Sequence, residues 1–67
     1  MSVLSKNIRY FREQRNMPQT ELSQMTGINQ AKISAYESGH ESPRVDTAVA
    51  IADALGVTVS ELLGLED

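Results

Sequence analysis

Residues 19–36, Gln19-Thr-Glu-Leu22-Ser-Gln-Met-Thr-Gly27-Ile28-Asn-Gln30-Ala-Lys-Ile33-Ser-Ala-Tyr36, constrain this chain more than any other stretch. Leu22, Ile28, Ile33 and Tyr36 recur at spacings that bring them to one side of two short helices, and the residues between them are mainly polar or small. Gly27 stands at the junction. Reversing direction between two helices within a turn of about 3–4 residues calls for a backbone free of Cβ hindrance, which glycine provides. Ser23 is small enough for the helices to approach closely, and Asn29 has a side-chain oxygen suited to capping the second helix. The unit therefore predicts two helices set across one another, clamped onto a shared core.

The rest of the chain supplies that core. Sixty-seven residues make one domain, 1–67, near the low end of what a single core supports. Without cysteine, neither disulfides nor a thiolate metal site is available to brace it. A first helix is expected over residues 3–16, with Leu4, Ile8 and Phe11 at helical spacing, before Asn16-Met17-Pro18 breaks it. Helices over Gln19–Thr26 and Gln30–Ser38 follow, the latter closed by Gly39. After a short loop, residues 44–55 form a fourth helix with Val45, Ala48, Ile51, Ala52 and Leu55 turned inward, ended by Gly56. Thr58-Val-Ser-Glu61 is a capping box that opens a last short helix carrying Val59, Leu62 and Leu63. The expectation is a compact all-α fold of five helices.

Charge narrows the partners. The net charge is −3, but it is unevenly spread. All six bases (Lys6, Arg9, Arg12, Arg15, Lys32, Arg44) lie in residues 1–44 with four acids, whereas residues 45–67 hold five acids and no base. A mildly positive front can orient the molecule on a polyanion. Few phosphate contacts are available per chain, which favours two chains binding together. No leader and no apolar run approaching about 18 residues is present, so a soluble cytoplasmic protein without a membrane partner is expected. Catalysis is not expected. There is no cysteine nucleophile, no Gly-rich phosphate loop and no paired carboxylates on an apolar wall, and His40 has no partner with metal-ligand spacing. Neither a metal nor a cofactor is implied.

The paired helices have the layout of a helix-turn-helix, whose second helix is built to enter the DNA major groove. Linked motifs extend along nearly the whole chain: Leu4-Ser-Lys-Asn-Ile8-Arg-Tyr-Phe11-Arg12, Gln19-Thr-Glu-Leu22, Tyr36-Glu37-Ser-Gly39, Ala52-Asp-Ala-Leu55-Gly56-Val57 and Thr58-Val-Ser-Glu61-Leu62-Leu63. In these the chain resembles the Cro/phage-repressor (Xre-type) helix-turn-helix family. The resemblance implies a lambda-repressor-like DNA-binding domain that binds a pseudo-palindromic operator as a homodimer and regulates transcription, as a repressor in the first instance. It implies that Gln19 lies against the DNA backbone and supports Gln30, the first residue of the recognition helix. Gln30 is suited to pairing with adenine N6 and N7, and Ala31, Ser34 and Ala35 complete the base-facing row. It also makes Arg12 and Glu37 a structural pair.

Backbone contacts are expected from Gln19, Lys32, Ser38, Arg44 and Arg9. A cation in the first turn of a helix opposes the macrodipole, so Lys32 and Arg44 call for a reason outside helix stability, which a phosphate supplies. Pro18 stands where the family often has a capping Ser or Thr, and Glu41 weakens phosphate binding by the loop. Val57 and Leu62 are expected to finish the core, and Val59, Leu63 and Leu65 to face a second copy. Two recognition helices ~34 Å apart would then match successive major grooves. The competing reading is a protein-interaction module, such as an antitoxin-like chain that silences a protein partner, which the acidic residues 45–67 favour. Salt separates the two, since DNA binding weakens steeply as salt rises.

Overall fold

The computed structural model describes residues 2–65, and five helices hold them together: α1 (Val3–Gln14), α2 (Gln19–Thr26), α3 (Gln30–Ser38), α4 (Val45–Leu55) and α5 (Val59–Leu63). The body measures 29 × 23 × 20 Å. One core, formed by Ile8, Met17, Leu22, Ile33, Tyr36, Ile51, Ala52, Leu55 and Leu62, takes side chains from every helix and from the α1–α2 turn. Among the described residues no helix is long and apolar enough to cross a membrane.

The helix starts follow local chemistry. Ser2 caps α1 by accepting from the Ser5 N–H at 3.2 Å, and Asn29 caps α3 by accepting from the Ala31 N–H at 2.7 Å. At α5 both halves of the capping box form, Glu61 N–H to Thr58 Oγ1 at 3.0 Å and Thr58 N–H to Glu61 Oε1 at 2.9 Å. α2 and α4 begin at Pro18 and Arg44 with no side-chain cap.

Two helix ends differ from the sequence reading. α1 stops at Gln14 rather than running to residue 16, because Asn16 takes a left-handed conformation with φ 51°. Asn16 N–H then bonds Glu13 O at 3.0 Å and Met17 N–H bonds Arg12 O at 3.1 Å, a pattern that closes the last turn and turns Met17 into the core. α4 begins at Val45 with Arg44 as its cap, and Val45 is 80% exposed rather than turned inward. Its spacing to Ala48 and Ala52 is helical, but Cβ bonds lean toward the helix N-terminus. A side chain at the first helical position therefore projects off the end, beyond the body that Ala48, Ile51, Ala52 and Leu55 pack against.

The α2–α3 turn is tied twice. Gly27 sits at φ 76°, and a Cβ there would meet open space, so the demand for glycine is torsional rather than steric. The Thr26 hydroxyl donates to Leu22 O at 2.8 Å and accepts from Ile28 N–H at 3.1 Å, while the Ser23 hydroxyl donates to Ile28 O. Ser23 thus joins the two helices by a hydrogen bond as well as by being small. α3 packs on α1 and α2, and α5 on α1 and α4. This arrangement leaves α3 with one flank free.

Candidate nucleic-acid interface

Only Ile33, Tyr36 and Glu37 of α3 are buried. Gln30, Ala31, Lys32, Ser34 and Ser38 are exposed, and Ala35 is half-buried. The loop after α3 folds back onto the helix end: the Ala35 carbonyl accepts from His40 N–H at 3.0 Å and Glu41 N–H at 3.3 Å, and from the hydroxyl of Ser38 within the helix at 3.1 Å. Ser38 Oγ also lies 2.7 Å from His40 Nδ1. The exposed row is small apart from Gln30 and Lys32, which lets a second surface approach the helix backbone closely.

Beside this row runs a groove of about 440 Å³ between α1, α2 and α3, lined by Arg9, Arg12, Gln19, Ser34, Glu37 and Ser38. Its floor is a charged pair. Arg12 Nε and Nη2 donate to the two Glu37 carboxylate oxygens at 2.7 and 2.9 Å, with side chains only 11% and 6% exposed. Arg12 Nη1 also donates to Met17 O at 2.8 Å, and the Gln19 amide donates to Glu37 Oε1 at 3.1 Å. The hydrogen bonds to Glu37 raise the Arg12 pKa above its already high ordinary value, against the opposing effect of burial. One network therefore sets the spacing of all three helices at the point where α2 begins. Among the described residues no buried side-chain nitrogen or oxygen lacks a partner.

The groove gathers Arg9, Gln19, Ser34 and Ser38 from three helices. Gln19 binds Glu37, where a contact to Gln30 was expected. Arg9 Nε pairs with Glu13 at 3.2 Å on the solvent side of α1. On the other flank of α3, Lys32 Nζ lies 2.6 Å from Glu41 Oε1, and that contact raises the Lys32 pKa. The loop carboxylate thus gives Lys32 a partner within the chain, which the macrodipole argument had left to phosphate alone. Arg44 is exposed at the start of α4. Far from the groove, Val59 is half-buried on the core, while Leu63 and Leu65 are 39% and 74% exposed.

Two features escaped the sequence reading. The Thr26 hydroxyl bridge had a usable signal, a threonine directly before the turn glycine. The Lys32–Glu41 contact had none, because a separation of nine residues across a helix end follows no helical period.

Two crossed helices joined at a left-handed glycine, with the second exposed along one flank, define a helix-turn-helix protein. The helix-turn-helix family model matches residues 8–62, and the chain belongs to this family. Its relatives include the cryptic phage CTXphi transcriptional repressor RstR of Vibrio cholerae, 33% identical over 91% of this chain and 55% of the repressor. The control protein C.SmaI of Serratia marcescens is 28% identical over 91% of this chain and 73% of its own length. The chain spans about half the length of the CTXphi repressor. Among solved structures, the hypothetical transcription factor NHTF from Neisseria superposes with a TM-score of 0.87 at 32% identity, covering 92% of this chain and 71% of that one. The P22 c2 repressor, solved in complex with a synthetic operator, gives the same TM-score of 0.87 at 24% identity over 98% of this chain and 100% of its own, a likeness of fold.

Proposed function

We propose that this chain is a DNA-binding transcriptional regulator that binds a pseudo-palindromic operator as a homodimer and represses from it. One observation carries the reading. α3 buries three residues and leaves Gln30, Ala31, Ser34 and Ser38 exposed beside a polar groove that opens at the start of α2. That is the form of a helix made to lie in a major groove with its neighbour against the phosphates.

In this reading Gln30 reads adenine through its bidentate amide, and the Ala31 and Ala35 methyls pack on thymine methyls. Ser34 reaches a base edge or a phosphate. Gln19, Ser38 and Arg9 hold one strand of backbone along the groove, and Lys32 and Arg44 hold backbone on the loop side. Leu63 and Leu65, with Val59 beneath them, face a second copy, and the pair doubles the phosphate contacts that one acidic chain provides. The repressor and regulator relatives support the class of activity.

The test is selection of duplexes from a randomised pool, followed by anisotropy titration of the selected and scrambled sequences over a range of salt. The expected result is a selected site with two inverted half-sites, bound with a strongly salt-dependent affinity. A pool that yields no preferred sequence at low salt would overturn the reading.

A further inference from the structure

The cations that border α3 are held in two distinct ways. Arg12 is fixed: its partner Glu37 is buried, and further bonds to Met17 O and from Gln19 lock the pair in place. Lys32 is held loosely. It and Glu41 are 52% and 46% exposed, so water reaches both, and exposed pairs of this kind are easily exchanged. Yet Glu41 is not there by chance of a mobile side chain. The backbone bonds from His40 and Glu41 to Ala35 O, together with the Ser38–His40 contact, fold the loop back so that its carboxylate arrives at the flank of α3.

On the reading that α3 lies in a major groove, we propose that Glu41 is an intramolecular competitor for the phosphate that Lys32 would bind. The loop after α3 then determines how tightly the chain holds any duplex. A phosphate approaching Lys32 must first displace the carboxylate, so Glu41 weakens binding at that position only while Lys32 is there to be contested. Phosphates are common to every sequence, so Glu41 lowers affinity without altering base preference. Arg9–Glu13 does not serve this way to the same degree. It is an i,i+4 pair along one helix, and it is longer, at 3.2 Å.

The experiment compares Glu41→Gln with Asp53→Asn, an exposed acid on α4 whose substitution changes the net charge equally. Binding to random-sequence duplex DNA is followed by anisotropy at several salt concentrations. Glu41→Gln should bind about three- to fivefold tighter than the parent, with a salt slope steeper by about one unit, and Asp53→Asn should gain clearly less. In a Lys32→Gln background the gain from Glu41→Gln should fall to that of Asp53→Asn, since the partner is gone. The ratio of selected to random affinity should not move. A gain equal to that of Asp53→Asn, or one that persists without Lys32, would overturn the proposal while leaving the DNA-binding reading intact. A parent chain that binds neither selected nor random DNA at low salt would overturn both.

Discussion

Arg12 and Glu37 carry opposite consequences depending on whether one or both are changed. Arg12→Ala strands a buried carboxylate with only Gln19 to answer it, and breaking a buried pair this way costs about 3–5 kcal/mol. A small domain has roughly 5 kcal/mol in total, so about 0–2 kcal/mol would remain, and urea unfolding of Arg12→Ala should show a midpoint moved close to zero denaturant. The double variant Arg12→Met/Glu37→Leu should recover most of that loss, because no charge is left unpaired. Gln30→Ala makes the contrasting case. Gln30 is exposed, so the unfolding midpoint should stay where it is while discrimination at one base pair falls by about 1–3 kcal/mol, read by competition between matched and mismatched duplexes. An unchanged preference would remove Gln30 from the reading face.

At the scale of elements, the turn between α2 and α3 depends on backbone torsion. Gly27→Ala places a Cβ in open space at φ 76°, so its cost is the left-handed conformation alone, about 1–2 kcal/mol. Thermal unfolding should register that loss, and Gly27→Asn should give part of it back because asparagine tolerates this region. The bounds of α2 and α3 were legible in the sequence for the same local reasons: Gly27, Asn29 and Gly39 each act on the backbone within a residue or two. What failed depended on more distant or more subtle geometry. The end of α1 hinges on Asn16 turning left-handed, and Asn is an optional rather than an obligatory residue there. Val45 had the right spacing but the wrong end of the helix. The Arg12–Glu37 pair was foreseen only through family resemblance, since 25 residues separate its members. The Glu41 contact needed the path of the loop.

For the whole molecule, the exposed Leu63 and Leu65 should decide association. Leu63→Asp/Leu65→Asp is expected to leave the helical circular-dichroism spectrum intact, shift sedimentation from dimer to monomer and abolish cooperative binding to paired half-sites. A variant that stays dimeric would place the interface elsewhere. The far end of the chain has a second duty. The Asn7 amide donates to Glu61 O at 3.3 Å and Leu62 O at 3.0 Å, and Leu62 is fully buried. α5 has five residues, too few to persist alone, and α1 packs against it. α1 therefore has its polar and apolar faces both answered only when a segment 55 residues further along the chain has folded onto it. The domain closes like a ring whose clasp is α5, and a chain cut short of Leu62 would leave α1 unfastened and open to proteolysis.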